Sequence, residues 1–64
     1  MFGFNNQSGF VEVQIQDETG NWRTTAASQN DPQIYRSRMQ EAAFNFPGRR
    51  IRVIDSAGRL LDMS

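Results

Sequence analysis

The clearest alternation in the chain runs from Phe10 to Gln16. Val11, Val13 and Ile15 point one way, and Phe10, Glu12, Gln14 and Gln16 point the other. A period of two with β-branched residues on one face predicts a half-buried strand. Asp17-Glu18-Thr19-Gly20 comes next as a turn, because Asp can bond its own backbone and Gly accepts a positive φ. Trp22 to Ala27 then reads as the returning strand.

Two registers compete for this hairpin. A four-residue loop pairs Gln16 with Asn21 and sets Trp22 beside Ile15. A three-residue loop with a Gly bulge sets Trp22 beside Gln16. A one-residue slip exchanges the two faces, so burial of Trp22 favours the first register.

Residues 28–32 read as a loop ending in a helix start. Asp31 can act as N-cap with Pro32 at the first helical position, and Asn30 with Gln33 forms a competing capping box. The helix is expected from Pro32 to about Phe44. Tyr35, Met39, Ala42, Ala43 and Phe46 fall near one stripe, with Ile34 beside it. Arg36, Ser37, Gln40 and Glu41 take the wet side. Asn45 is a candidate left-handed residue, Pro47 forbids continuation and Gly48 completes the stop.

Arg50 to Asp55 predicts a third strand with Ile51 and Val53 facing in. Arg50, Arg52 and Ile54 then face out. Asp55-Ser56-Ala57-Gly58 is a second turn, and Arg59 to Asp62 a short last strand. The two hairpins echo one another: Val13-x-Ile15-x-Asp17-x-x-Gly20-x-Trp22 matches Ile51-x-Val53-x-Asp55-x-x-Gly58-x-Leu60. One short match reads as shared hairpin grammar rather than as a duplicated unit.

The expected fold class is therefore α+β in the order ββαββ. A four-stranded antiparallel sheet ordered 2-1-3-4 places the apolar first strand centrally. One helix is expected on the face holding Trp22, Ile51, Val53 and Leu60, leaving the other face to water. Residues 1–9 are expected to form a flexible N-terminal arm, and residues 10–64 a single small domain. Phe2 and Phe4 on that arm either fold back over the core or contact a partner.

Composition narrows the function classes. There is no Cys, so no disulfide and no thiolate, and no His, which removes the usual metal ligand and near-neutral acid–base group. Seven basic residues, all Arg, balance seven acids. That balance argues against a strong electrostatic nucleic-acid or membrane-surface binder. No stretch approaches the ~18 apolar residues of a membrane span. The first residues show no signal-peptide pattern and Phe2 stands where a myristoyl-accepting Gly would be, so a cytoplasmic location is expected.

Catalysis is not expected. The carboxylates are Glu12, Asp17, Glu18, Asp31, Glu41, Asp55 and Asp62, and turns or caps explain Asp17, Asp31 and Asp55. A nucleophilic Ser would need a base, and neither His nor Lys exists to serve. No cofactor or metal is expected. The Asp17–Asn21 stretch resembles the start of a calcium loop but has Trp22 at the required Gly and Ser28 at the required Glu.

The remaining candidate is the outer sheet face, expected to carry Glu12, Gln14, Gln16, Arg23, Thr25, Arg50, Arg52, Ile54, Arg59 and Leu61. Arg23, Arg50, Arg52 and Arg59 there form a candidate anion or nucleic-acid surface. Phe2, Phe4, Ile54 and Leu61 are candidate contacts for a protein partner or a second copy, and the short last strand offers an open edge. The function expected is a small non-enzymatic binding or assembly module, with weak nucleic-acid or anion binding as the alternative.

Overall fold

The computed structural model describes residues 9–64. The greater part of the expected arm, with Phe2 and Phe4, lies outside the described residues. The elements are β1 (Phe10–Gln16), β2 (Trp22–Gln29), α1 (Pro32–Asn45), β3 (Ile51–Asp55) and β4 (Leu60–Met63). They form one four-stranded antiparallel sheet in the order β2-β1-β3-β4 with α1 packed on one face.

The helix starts as its sequence dictates. Asp31 is extended at the N-cap, its carboxylate accepts from the Gln33 N–H, and Pro32 opens the first turn. It ends differently from expectation. The Phe46 N–H closes the last turn on the Ala42 carbonyl, and no described residue other than glycine has a positive φ. Gly48, at φ 83°, takes the left-handed position assigned to Asn45. Of the expected helix stripe, Tyr35 and Ala42 are buried and Met39 packs against the core. Ala43 stays exposed.

The core is Val11, Val13, Ile15, Tyr35, Ala42, Ile51 and Val53, with Ala26, Met39 and Leu61 packed against it. The central pairs Val13–Val53 and Ile15–Ile51 stack two β-branched pairs under the helix. An approximate two-fold through the Gln14–Arg52 pair exchanges β1 with β3 and one hairpin with the other. The echo in the sequence is thus also an echo in space.

The first hairpin takes the register that burial disfavoured, and the second takes the equivalent one. Asp17 donates its N–H to the Asn21 carbonyl at 2.8 Å, and the Gly20 N–H returns to the Asp17 carbonyl at 3.1 Å. Asp55 and Arg59, with Gly58, repeat this at 3.0 and 2.9 Å. Each is a three-residue loop with a positive-φ glycine in third place, Gly20 at 89° and Gly58 at 83°. Trp22 consequently pairs with Gln16, Arg23 with Ile15, and Leu60 with Ile54.

Four side-chain placements are corrected by this. Trp22 and Leu60 lie on the open face instead of beneath the helix. Arg23 takes the helix-side register position opposite Ile15. Leu61, expected outside, sits at a bulge in β4 and packs against the core.

Candidate functional site: the open sheet face

The face opposite the helix is a grid set by strand register. One row runs Thr24, Gln14, Arg52, Met63, and the next Ala27, Glu12, Ile54, Leu60. Trp22 and Gln16 extend it at one end, and Phe10 lies at the other.

The β1–β2 half is closed by its own polar contacts. Gln14 is only 9% exposed although it faces away from the helix. Its Nε2 donates to Thr24 Oγ1 at 3.1 Å and to Glu12 Oε1 at 3.3 Å, while Arg52 Nε donates to its Oε1 at 2.8 Å. The Thr24 hydroxyl donates to Glu12 Oε1 at 2.7 Å. A buried amide is stable only when its donors and acceptor are met, and here all three sides are. The Arg52 guanidinium lies 4.2 Å from the centre of the Trp22 ring, a cation–π contact that covers the amide.

Among the described residues, nothing covers the apolar β3–β4 half. Leu60 is 56% exposed beside Ile54, with Met63 next along the edge, and Phe10, 66% exposed at the start of β1, lies diagonal to Ile54 and extends the patch. Arg50 Nη2 reaches the Met63 sulfur at 3.8 Å, a weak contact that places this head group at the rim of the same patch.

Charge is distributed with equal asymmetry. Five Arg are paired with five acids: Arg23 with Asp17, Arg36 with Asp62, Arg38 with Glu41, Arg49 with Glu18 and Arg59 with Asp55. All charged side chains lie within the described residues. The others are Asp31 at the helix cap, and Arg50, Arg52 and Glu12 on the open face. Arg23 and Arg59 therefore leave the expected basic surface. Each turn draws its own Arg onto its own Asp, at 2.8 and 2.9 Å.

These turn carboxylates are held by short bonds. The Arg23 guanidinium, and after it the Thr19 hydroxyl, keeps Asp17 far below the usual carboxylate range. The backbone N–H of Arg59, and after it the Arg59 side chain, lowers Asp55. Arg36 lowers Asp62 and is itself raised by it.

Elsewhere the features are weaker. A groove between β2 and α1 of about 420 Å³ has Arg38 and Glu41 on its wall, already paired with each other. Phe44 is 86% exposed on the helix but stands in a polar surrounding of Ser37, Gln40, Glu41 and Asn45. Among the described residues no three acidic side chains gather as metal ligands, and no helix is long and apolar enough to cross a membrane. Comparison with known proteins returns no matching family model, no matching curated protein and no matching solved structure.

Of the site residues read from sequence, Arg50, Arg52 and Ile54 share the open face. Arg23, Arg59 and Leu61 do not. Sequence reasoning missed Trp22, Leu60 and Met63 there. The signal for Trp22 and Leu60 was the Asp-x-x-Gly-x spacing, which fixes the loop at three residues once Gly is given the positive-φ position, whereas Met63 reaches this face only through the bulge at Leu61.

Proposed function

We propose that this chain is a small non-enzymatic binding or assembly module and that the open sheet face is its contact surface. The observation carrying this reading is the coincidence on one face of the exposed Phe10, Leu60 and Met63, grouped around half-buried Ile54, with the two guanidinium groups that, among the described residues, have no carboxylate partner. Interface centres combine apolar and aromatic side chains with Arg in this way. The helix face is already used for the core.

The test is photocrosslinking in the cells that make the protein. A benzophenone side chain at position 60 should yield polypeptide adducts, and the same group at position 40 on the outer helix surface should not. Absence of adducts at position 60 overturns the reading.

A second reading, weak anion or nucleic-acid contact, is supported by the Arg52–Trp22 stack beside Arg50. With two guanidinium groups instead of four, the logarithm of affinity for duplex DNA should fall with that of salt at a slope no steeper than about −2. An amide-shift titration with a short duplex and an RNA strand, at low and then moderate salt, tests it. Absence of shifts at Arg50, Arg52 and Trp22 at low salt removes it.

A further inference from the structure

We infer that the occupant of the open face is a second copy of this chain, docked face to face about a two-fold axis. This rests on the open-face reading and adds the identity of the partner.

The first argument is elimination of the edges. Strand addition needs a regular edge, and both edges here are interrupted. β2 shifts register opposite the Val13–Gln14 step, with Thr25 as the extra residue. β4 does so opposite Val53–Ile54, with Leu61 as the extra residue. Bulges bend and twist an edge away from a neighbouring strand. β4 is also only four residues long. Association is thereby directed from the edges to the face.

The second argument is charge. The face carries both unpaired cations, Arg50 and Arg52, and the anion Glu12, which has no guanidinium partner among the described residues. Within one copy Glu12 and Arg52 make no ion pair, because the Gln14 amide stands between them, donating to Glu12 and accepting from Arg52. A two-fold contact presents the same patch from both sides, so each Glu12 can meet an Arg of the other copy and each Arg the other's Glu12. A partner of one charge sign would satisfy only one of these. The apolar residues Phe10, Ile54, Leu60 and Met63 match themselves, since an apolar patch is its own complement.

The experiment is sedimentation equilibrium of the purified chain from micromolar to millimolar concentration, combined with a spin-label measurement. The mass should rise from 7.3 kDa towards twice that value. Leu60→Glu, at a position exposed enough to leave the fold intact by circular dichroism, should hold the chain monomeric throughout. Gln40→Glu should leave the dimer unchanged. Glu12→Gln removes both symmetry-related ion pairs and should weaken association about two- to thirtyfold.

The sequence has no Cys, so Ser56→Cys gives a single nitroxide site at the border of the face. Mixed with isotope-labelled wild type, it should broaden the amides of Glu12, Arg52 and Leu60 and spare those of Ser37 and Gln40. A monomer at millimolar concentration, or broadening confined to the helix, overturns the self-association. Position-60 adducts to a different polypeptide, with a monomeric purified chain, would overturn the second copy and leave the open-face reading standing.

Discussion

The two hairpins share a turn and differ in the surface their returning strands build. Both close with Asp, two free positions and a positive-φ Gly, and in both the Asp carboxylate accepts backbone N–H groups two and four residues on. Both throw the next large apolar residue onto the open face. Trp22 lands there beside a guanidinium and a satisfied amide and is half-buried. Leu60 lands beside Ile54 and Met63 and stays mostly exposed. One hairpin finishes its outer surface from within the chain and the other leaves it open. Turn chemistry, and not burial, decided where these residues point.

The largest test of that contrast sets the covered face against the open one. Ile51→Ala removes a buried side chain between β1 and α1 and should cost about 2–5 kcal/mol, enough to unfold much of so small a domain. Leu60→Ala should cost less than about 0.5 kcal/mol in the monomer, as surface changes do. Urea unfolding at low protein concentration measures both. Comparable losses would mean that Leu60 is packed within the chain and the face is not open.

Trp22→Ala should fall between these. A fully buried aromatic costs about 3–5 kcal/mol on truncation, and half-burial on a guanidinium lid scales this to roughly 1–2 kcal/mol. Trp22→Ala and Arg52→Ala should not add, and a double-mutant cycle should return about 0.5–1 kcal/mol of coupling. Strict additivity would show that the ring and the guanidinium do not support one another.

Much of this fold was legible because local signals agreed with one another. The alternation of Phe10–Gln16, the Asp31-Pro32 helix start and the strand order all arise from residues whose propensity and burial point the same way. The registers were not legible from burial, because burial and turn chemistry disagreed at Trp22 and again at Leu60. Placing the tryptophan inside ignored that Arg52, on a strand far along the chain, could cover it outside. The same slip misplaced Arg23 and Leu61. Arg59 was misplaced for another reason: as the last residue of its turn it bonds Asp55 rather than joining a strand face.

The turns themselves should respond alike. Gly20→Ala and Gly58→Ala each force an L-residue into the left-handed region, at about 1–2 kcal/mol. A Cβ at Gly20 meets nothing nearer than Gln16 Nε2 at 4.0 Å, and at Gly58 nothing within 4 Å, so backbone strain is the whole effect. Equal losses in thermal unfolding support one shared turn type. A loss confined to one variant would break the equivalence of the hairpins.

The smallest effect near neutral pH, and the one that turns on acidification, belongs to the aspartates paired with Arg in and beside the two hairpins. Asp17, Asp55 and Asp62 are all depressed in the folded chain, Asp17 most strongly and chiefly by Arg23. A depressed folded value means the unfolded chain binds protons first. The stabilisation is therefore complete above the unfolded carboxylate range near pH 4 and is lost as pH falls through the lower folded values. The unfolding midpoint should be flat from about pH 8 to 5 and drop below about pH 4. Asp17→Asn should flatten that drop more than Asp55→Asn does, since Asp17 is the more depressed of the two. If instead the acid drop survives unchanged in Asp17→Asn, the first hairpin's Asp–Arg clamp is not what the fold loses in acid, and the two turns are alike in geometry but not in their coupling to protons.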